Sequence, residues 1–176
     1  MNVKPMIYHY DCGKNDNGMM FELIKSNANN PVRGGGFSTG SYTESDVPEI
    51  LRLTNWVLDK ATSAVFDIVN QDGSSYYLQS DTRTRNFDLA YFWGMYYPKG
   101  GSVIKHNHFP STVNCCYYIK APEGCSPLIV EGQKIEVKES MLIVFPGYYM
   151  HEVPECEVEG RCMINFDVVY TAKEKA

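Results

Sequence analysis

The chain is 176 residues long, enough for one domain with a substantial core, and 44% hydrophobic against 21% charged is ordinary globular composition. A net charge of −5 with no run of Lys or Arg argues against nucleic acid or an anionic membrane as partner, and no stretch reaches the roughly 18 apolar residues of a membrane span. The N-terminus MNVKPMIYHYDCG lacks the apolar centre of a secretory leader, so the six cysteines, which show no C-x-x-C spacing, read as reduced thiols of a cytoplasmic protein.

The 13 tyrosines and 8 phenylalanines favour a mainly β fold. A single domain over residues 1–176 is expected, with an irregular segment to residue 45, a supporting helix over 46–69 and a β core over about 75–170. Within the first segment KPMIYHYD reads as a short strand and GMMFELIKSN as two helical turns. NANNPVRGGGFSTGSYTESD reads as a loop; its three glycines follow no strand and precede no Lys-Ser/Thr helix, so they do not form a nucleotide site. From Asp46, a suitable N-cap, with Pro48 in the first turn, Ile50, Leu53, Val57, Ala61, Ala64, Val65 and Ile68 recur at three- and four-residue steps, which predicts a long helix lying on a sheet. Eight apolar or alternating runs follow: SSYYLQS, FDLAYFWGMYYP, SVIKHNHF, VNCCYYIKAP, SPLIVEG, QKIEVKE, SMLIVFPG and RCMINFDVVY. Closely spaced turns between them predict an antiparallel sandwich or jelly roll with the helix on one sheet. Trp93 and its aromatic neighbours read as core, His9 as a surface or strand-edge residue, and Cys115 and Cys116 as facing opposite sides of one strand.

Strand alternation in SVIKHNH puts Ile104, His106 and His108 on one face, and two imidazoles two residues apart lie within reach of one ion. That pair alone is a weak signal. His151, directly after the apolar strand SMLIVF, adds a third imidazole if the antiparallel fold brings the strand ends together; three such ligands with open positions suit Fe(II), Zn(II), Cu or Ni over Mg or Ca. In the last strand Arg161, Met163, Asn165 and Asp167 face one way and Cys162, Ile164, Phe166 and Val168 the other. Arg161 is either a surface residue with its stem on apolar neighbours or, if buried beside the histidines, a charge that needs an anion such as a carboxylate.

The order YYPKGGSVIKHNH, CCYYIKAP, LIVFPGYYMHEV and RCMINFDVVY, with Arg161 ten residues after His151, resembles the Fe(II)/2-oxoglutarate-dependent oxygenases over roughly residues 90–170. The likeness is to their prolyl-hydroxylase-like branch, and within it to oxygenase-like sequences of marine bacteria and phages that carry H-x-H followed by Pro, as in HNHFP. The resemblance implies a double-stranded β-helix, a jelly roll or cupin-like barrel with flanking helices. It implies Fe(II), 2-oxoglutarate as cosubstrate and O2, with ascorbate as accessory reductant, and hydroxylation of a substrate with release of succinate and CO2. His106, His108 and His151 would hold the metal and act in catalysis through it. Arg161 would bind the far carboxylate of 2-oxoglutarate, Tyr118 would assist there and Tyr97 would line the same pocket. Asn165 would orient the cosubstrate or a ligand through a water, or else be a satisfied barrel amide. The departure is His108, which stands where most of the family has Asp or Glu; Asp167 or Glu152 is an alternative oxygen ligand. Residues 33–42 and 99–102 are expected at the substrate mouth, the substrate being a small molecule or a protein side chain.

Two other readings compete. One is a cupin-type three-histidine metal protein, for which Gly100 is suitably placed but the expected acid is replaced by Thr112 or Val113 and Arg161 has no role. The other is a non-catalytic metal- or ligand-binding barrel.

Overall fold

A computed structural model of the chain describes residues 3–10, 14–42, 48–72 and 85–172. Strand β1 (Met6–His9), helix α1 (Lys14–Asn27), the two-residue strands β2 (Asn30–Pro31) and β3 (Phe37–Ser38) and helix α2 (Pro48–Asp72) precede the main β region. There follow β4 (Arg85–Tyr97), β5 (Val103–His106), β6 (Val113–Lys120), β7 (Leu128–Val130), β8 (Gln133–Ile135), β9 (Met141–Pro146), β10 (His151–Val153) and β11 (Arg161–Ala172). The anticipated strand SSYYLQS and the cap at Asp46 lie outside the described residues.

The strands form a seven-stranded sheet in the order β1-β9-β6-β11-β4-β3-β2 and a four-stranded sheet in the order β5-β10-β7-β8. Their registered pairs are antiparallel throughout. Side chains of both sheets line one chamber, so the sheets face each other as the two walls of a jelly roll.

Both helices lie on the outer face of the larger sheet, α2 against β4, β6 and β9 and α1 against β4, β6 and β11. All seven residues of the α2 apolar stripe are at most 6% exposed. Burying each Ile, Leu or Val of that stripe contributes about 1.5–3 kcal/mol, which is why a stripe of 3.6-residue period settles on a sheet. Alternation along β11 is as expected: Cys162, Ile164, Phe166 and Val168 are fully buried on one face, and Phe166 stacks on Phe92 at 5.7 Å. Arg161, Met163, Asn165 and Asp167 occupy the other, which looks into the barrel and is also buried.

The N-terminal segment is more ordered than its composition indicates. Helix α1 spans 14 residues, and the Gly-rich stretch is the turn of a β2–β3 hairpin that extends the larger sheet. Gly34, at φ +111, brings its backbone against Ser102, whose amide donates to Gly34 O at 2.7 Å while Gly36 N donates to Ser102 O at 3.2 Å. A side chain at position 34 would meet Ser102 O at 2.6 Å, so the glycine permits a close backbone approach.

Gly94 does the same for α1. A Cβ there would lie 2.6 Å from Ile24 Cγ1. Gly94→Ala is expected to cost roughly 1–3 kcal/mol through overpacking. Ile24→Ala should then cost less in the Gly94→Ala background than in the wild type; a double-mutant cycle by urea unfolding measures the coupling, and strict additivity would contradict it.

Candidate metal centre and carboxylate pocket

His106 ends β5 and His151 opens β10, and the register places the two directly opposite. Two residues farther along β10, Val153 pairs with Val103, three residues back on β5, so β5 carries an extra residue at this point. The bulge corrects the alternation expected from sequence: Ile104 points to solvent at 48% exposure, while Val103 and His106 both line the chamber. His108 is not on the strand either. The chain turns after His106, and this turn is clamped to the β9–β10 connection by His108 N→Gly147 O (2.8 Å) and Gly147 N→Thr112 O (3.1 Å). Gly147 packs so closely on the Ser111 backbone that it has no room for a side chain. The turn returns His108 to the other two histidines by a route that strand periodicity does not describe.

One ring nitrogen from each of His106, His108 and His151 lies within 4.8 Å of the others, and the ring centroids are 4.3–5.1 Å apart. In each ring Nδ1 already faces an acceptor: Ile104 O at 2.8 Å for His106, Asp167 Oδ1 at 2.9 Å for His108 and Tyr149 O at 3.3 Å for His151. An Nδ1–H donated in this way leaves the Nε2 lone pair of every ring for a metal. Burial, helped by the neighbouring His106 and His108, lowers the His151 pKa from 6.5 to about 3, and burial also lowers that of His106. Burial thus favours the neutral form of His106 and His151, the form in which an imidazole binds a transition-metal ion. Asp167 and Glu152, the alternative oxygen ligands, are not in the cluster: Asp167 sits behind His108, and Glu152 alternates with His151 on β10.

Farther into the barrel Arg161 is completely buried. Its Nε donates to Ser126 O at 3.2 Å and one Nη to Tyr118 Oη at 3.1 Å, and its guanidinium lies 4.4 Å from the Tyr97 ring centroid. No carboxylate pairs with it among the described residues, and Nη1 has no hydrogen-bond partner. Burial raises the pKa of both Tyr97 and Tyr118, Arg161 opposing it, so both phenols stay protonated. Register links these residues to the histidines: on β11 and β4 Arg161 faces Tyr97, Met163 faces Met95 and Asn165 faces Trp93. Tyr97, Met95, Trp93, Met163, Asn165 and the three histidines all line the same chamber.

Asn165 accepts from Cys116 Sγ at 3.6 Å and donates to Asp167 Oδ1 at 3.4 Å, the satisfied-amide alternative. Trp93, read as core from sequence, instead stacks on His108 at 5.7 Å and 18°. It also borders a second cleft of about 340 Å³ with Val32, Arg33, Met95, Val103, Ile104 and His106. Residues 32 and 33 and β5 thus edge the approach to the histidines. An aromatic run on a strand carries no signal that separates this role from packing.

No family model matches the sequence, and no curated protein matches it. Among solved structures, the viral collagen prolyl hydroxylase of Paramecium Bursaria Chlorella virus-1, in complex with 2-oxoglutarate, superposes with a TM-score of 0.64 at 13% identity, over 95% of this chain and 96% of that one. A prolyl-4-hydroxylase of Pseudomonas putida gives 0.63 at 14% identity, over 96% and 92%. A prolyl hydroxylase of Trichoplax adhaerens, in complex with a hypoxia inducible factor peptide fragment, gives 0.55 at 15% identity, over 92% and 82%. The fold is therefore the double-stranded β-helix of these enzymes, with flanking helices. Among the described residues no helix is long and apolar enough to cross a membrane.

The His151 shift has a consequence for the metal-free protein. The unfolded chain takes up this proton near pH 6.5 and the folded one only near 3, so stability is full above about 6.5 and falls as pH drops through that window. Unfolding midpoints measured against pH should show a flatter slope between about pH 6 and 4 in His151→Gln than in the wild type.

Proposed function

We propose that the chain is an Fe(II)- and 2-oxoglutarate-dependent dioxygenase that hydroxylates a small molecule or a protein side chain, with succinate and CO2 as coproducts. The observation that carries this reading is Arg161, a fully buried guanidinium with no carboxylate partner among the described residues and one nitrogen unsatisfied, in the barrel that holds three converging imidazoles. A buried unpaired charge costs several kcal/mol, and a carboxylate is the ligand whose two oxygens match a guanidinium fork. A ligand that ends in a carboxylate and also chelates a metal satisfies both features. The superposition on a viral prolyl hydroxylase solved with 2-oxoglutarate supports that choice. The three-histidine cupin reading gives Arg161 no role.

His106, His108 and His151 would hold Fe(II) through Nε2, and burial keeps His151 unprotonated at neutral pH. Arg161 would take the far carboxylate of the cosubstrate; the Tyr118 hydroxyl accepts from Arg161, which leaves its own hydrogen to donate to that carboxylate. Tyr97 fixes the guanidinium plane and closes the inner wall, and Met95, Met163 and Leu128 keep water out. Iron with bound 2-oxoglutarate and O2 supplies the oxidising chemistry, with ascorbate as accessory reductant. Substrate would approach through the cleft beside Trp93, whose walls are apolar except for Arg33 and His106.

Anaerobic addition of Fe(II) and 2-oxoglutarate should produce the weak visible charge-transfer band of a chelate. Intact iron binding without that band would refute the proposal. Arg161→Lys and Tyr118→Phe test the pocket with less disturbance than truncation. Arg161→Lys should weaken 2-oxoglutarate binding by about 2–5 kcal/mol with metal affinity nearly unchanged, and Tyr118→Phe by about 1 kcal/mol, both by calorimetry. Equal loss of metal and cosubstrate in Arg161→Lys would mark the arginine as structural.

A further inference from the structure

His108 differs from the other two histidines in what stands behind it. The Nδ1 of His106 and of His151 faces a neutral backbone carbonyl, whereas that of His108 faces both oxygens of Asp167, at 2.9 and 3.2 Å. Asp167 is 8% exposed, and among the described residues no lysine or arginine pairs with it. Its remaining contacts are amide donors, Asn114 Nδ2 at 2.8 Å and Asn165 Nδ2 at 3.4 Å, both on Oδ1. The carbonyl ends of those amides face Cys116 Sγ, at 3.4 and 3.6 Å, which orients the NH2 groups toward the carboxylate. The arrangement follows from register: Asn114 on β6 is the cross-strand partner of Asp167 on β11, and Cys116 is the partner of Asn165. The result is a buried carboxylate faced by two amide N–H groups and by His108 Nδ1, with no lysine or arginine beside it among the described residues.

We infer that Asp167 is the anionic partner of the metal centre, acting through the His108 ring as a positioning residue; this rests on the reading of the three histidines as metal ligands. The carboxylate fixes His108 with its proton on Nδ1, turns Nε2 toward the shared site and makes that nitrogen a stronger donor. An H-x-D motif places its negative charge directly on the metal. Here the charge stands one imidazole farther out, on a strand 59 residues along the chain from His108. His108 is therefore half of a carboxylate–imidazole unit that replaces the acid, and a divalent cation supplies the positive charge that Asp167 lacks. Asn114, Asn165 and Trp93 hold the unit in place from three sides.

Two measurements test this, one of which needs no variant. Nitrogen-15 NMR of the metal-free wild type should show His108 with its proton on Nδ1; the Nε2–H tautomer would overturn the inference. Co(II) titration, followed by its visible absorption, should give binding roughly 10–100-fold weaker in Asp167→Asn than in the wild type. The same substitution should have little effect when His108 is already Ala, because the two act as one unit. Co(II) affinity in Asp167→Asn within about twofold of wild type, or an equal loss in the His108→Ala background, would show that Asp167 does not act through the ring. If wild-type protein binds no Co(II), or binds it equally well as His106→Ala, the three-histidine reading itself fails, whatever Asp167 does. Urea unfolding of each metal-free variant separates loss of the site from loss of the fold.

Discussion

The buried charge of Arg161 is the constraint on which the rest of the pocket depends. A guanidinium taken fully out of water needs its five N–H groups occupied and its charge balanced, and the barrel does only part of this. Ser126 O and Tyr118 accept, Tyr97 offers a ring face, and Nη1 is left over. A smaller apolar side chain at the head of β11 would make a more stable barrel on these grounds. Keeping the arginine is intelligible if an anion completes it.

The same strand carries the opposite case. Asp167, six residues after Arg161 and on the same face, is a buried carboxylate with amide donors and an imidazole but, among the described residues, no lysine or arginine. One inner face of one strand therefore holds an uncompensated positive group at its start and an uncompensated negative group near its middle. A metal cation at the histidines and a dicarboxylate reaching toward Arg161 would neutralise both. The two ionic groups do not neutralise each other, since Met163 and Asn165 lie between them along the strand.

How much of this could be read from sequence depended on whether a feature was periodic. The α2 stripe and the two faces of β11 were legible because period 3.6 and period 2 each ran over many residues, and every assigned residue on them is buried on its expected side. The three histidines were legible as a set, but the reason given for two of them was wrong. His106 and His108 do not share a strand face; a bulge in β5 and the turn clamped by Gly147 bring them together. Neither device shows in a hydrophobic pattern, because each depends on backbone contacts with distant segments. Strand β10 was missed because three residues are too few to show a period, and it exists by pairing with β5 on one side and β7 on the other. The Asp167–His108 contact was invisible for a similar reason: the alternative of a direct acid ligand could be posed from sequence, but only register decides that the carboxylate stands behind the ring.

The same asymmetry bears on the proposed route of substrate entry. Helices α1 and α2 cover the outer face of the larger sheet over β4, β6, β9 and β11. On the smaller sheet β5 is an edge strand, and among the described residues the hairpin turn at residues 33–36 lies against its outer side, through Ile104 N→Arg33 O and the Gly34 and Gly36 contacts with Ser102. The wider cleft lies beside this edge strand and glycine turn. Trp93 belongs to both spaces, stacked on His108 in the chamber and exposed to the cleft beside Arg33. In the proposed reading the tryptophan stacked on His108 is also part of the wall that a substrate would meet.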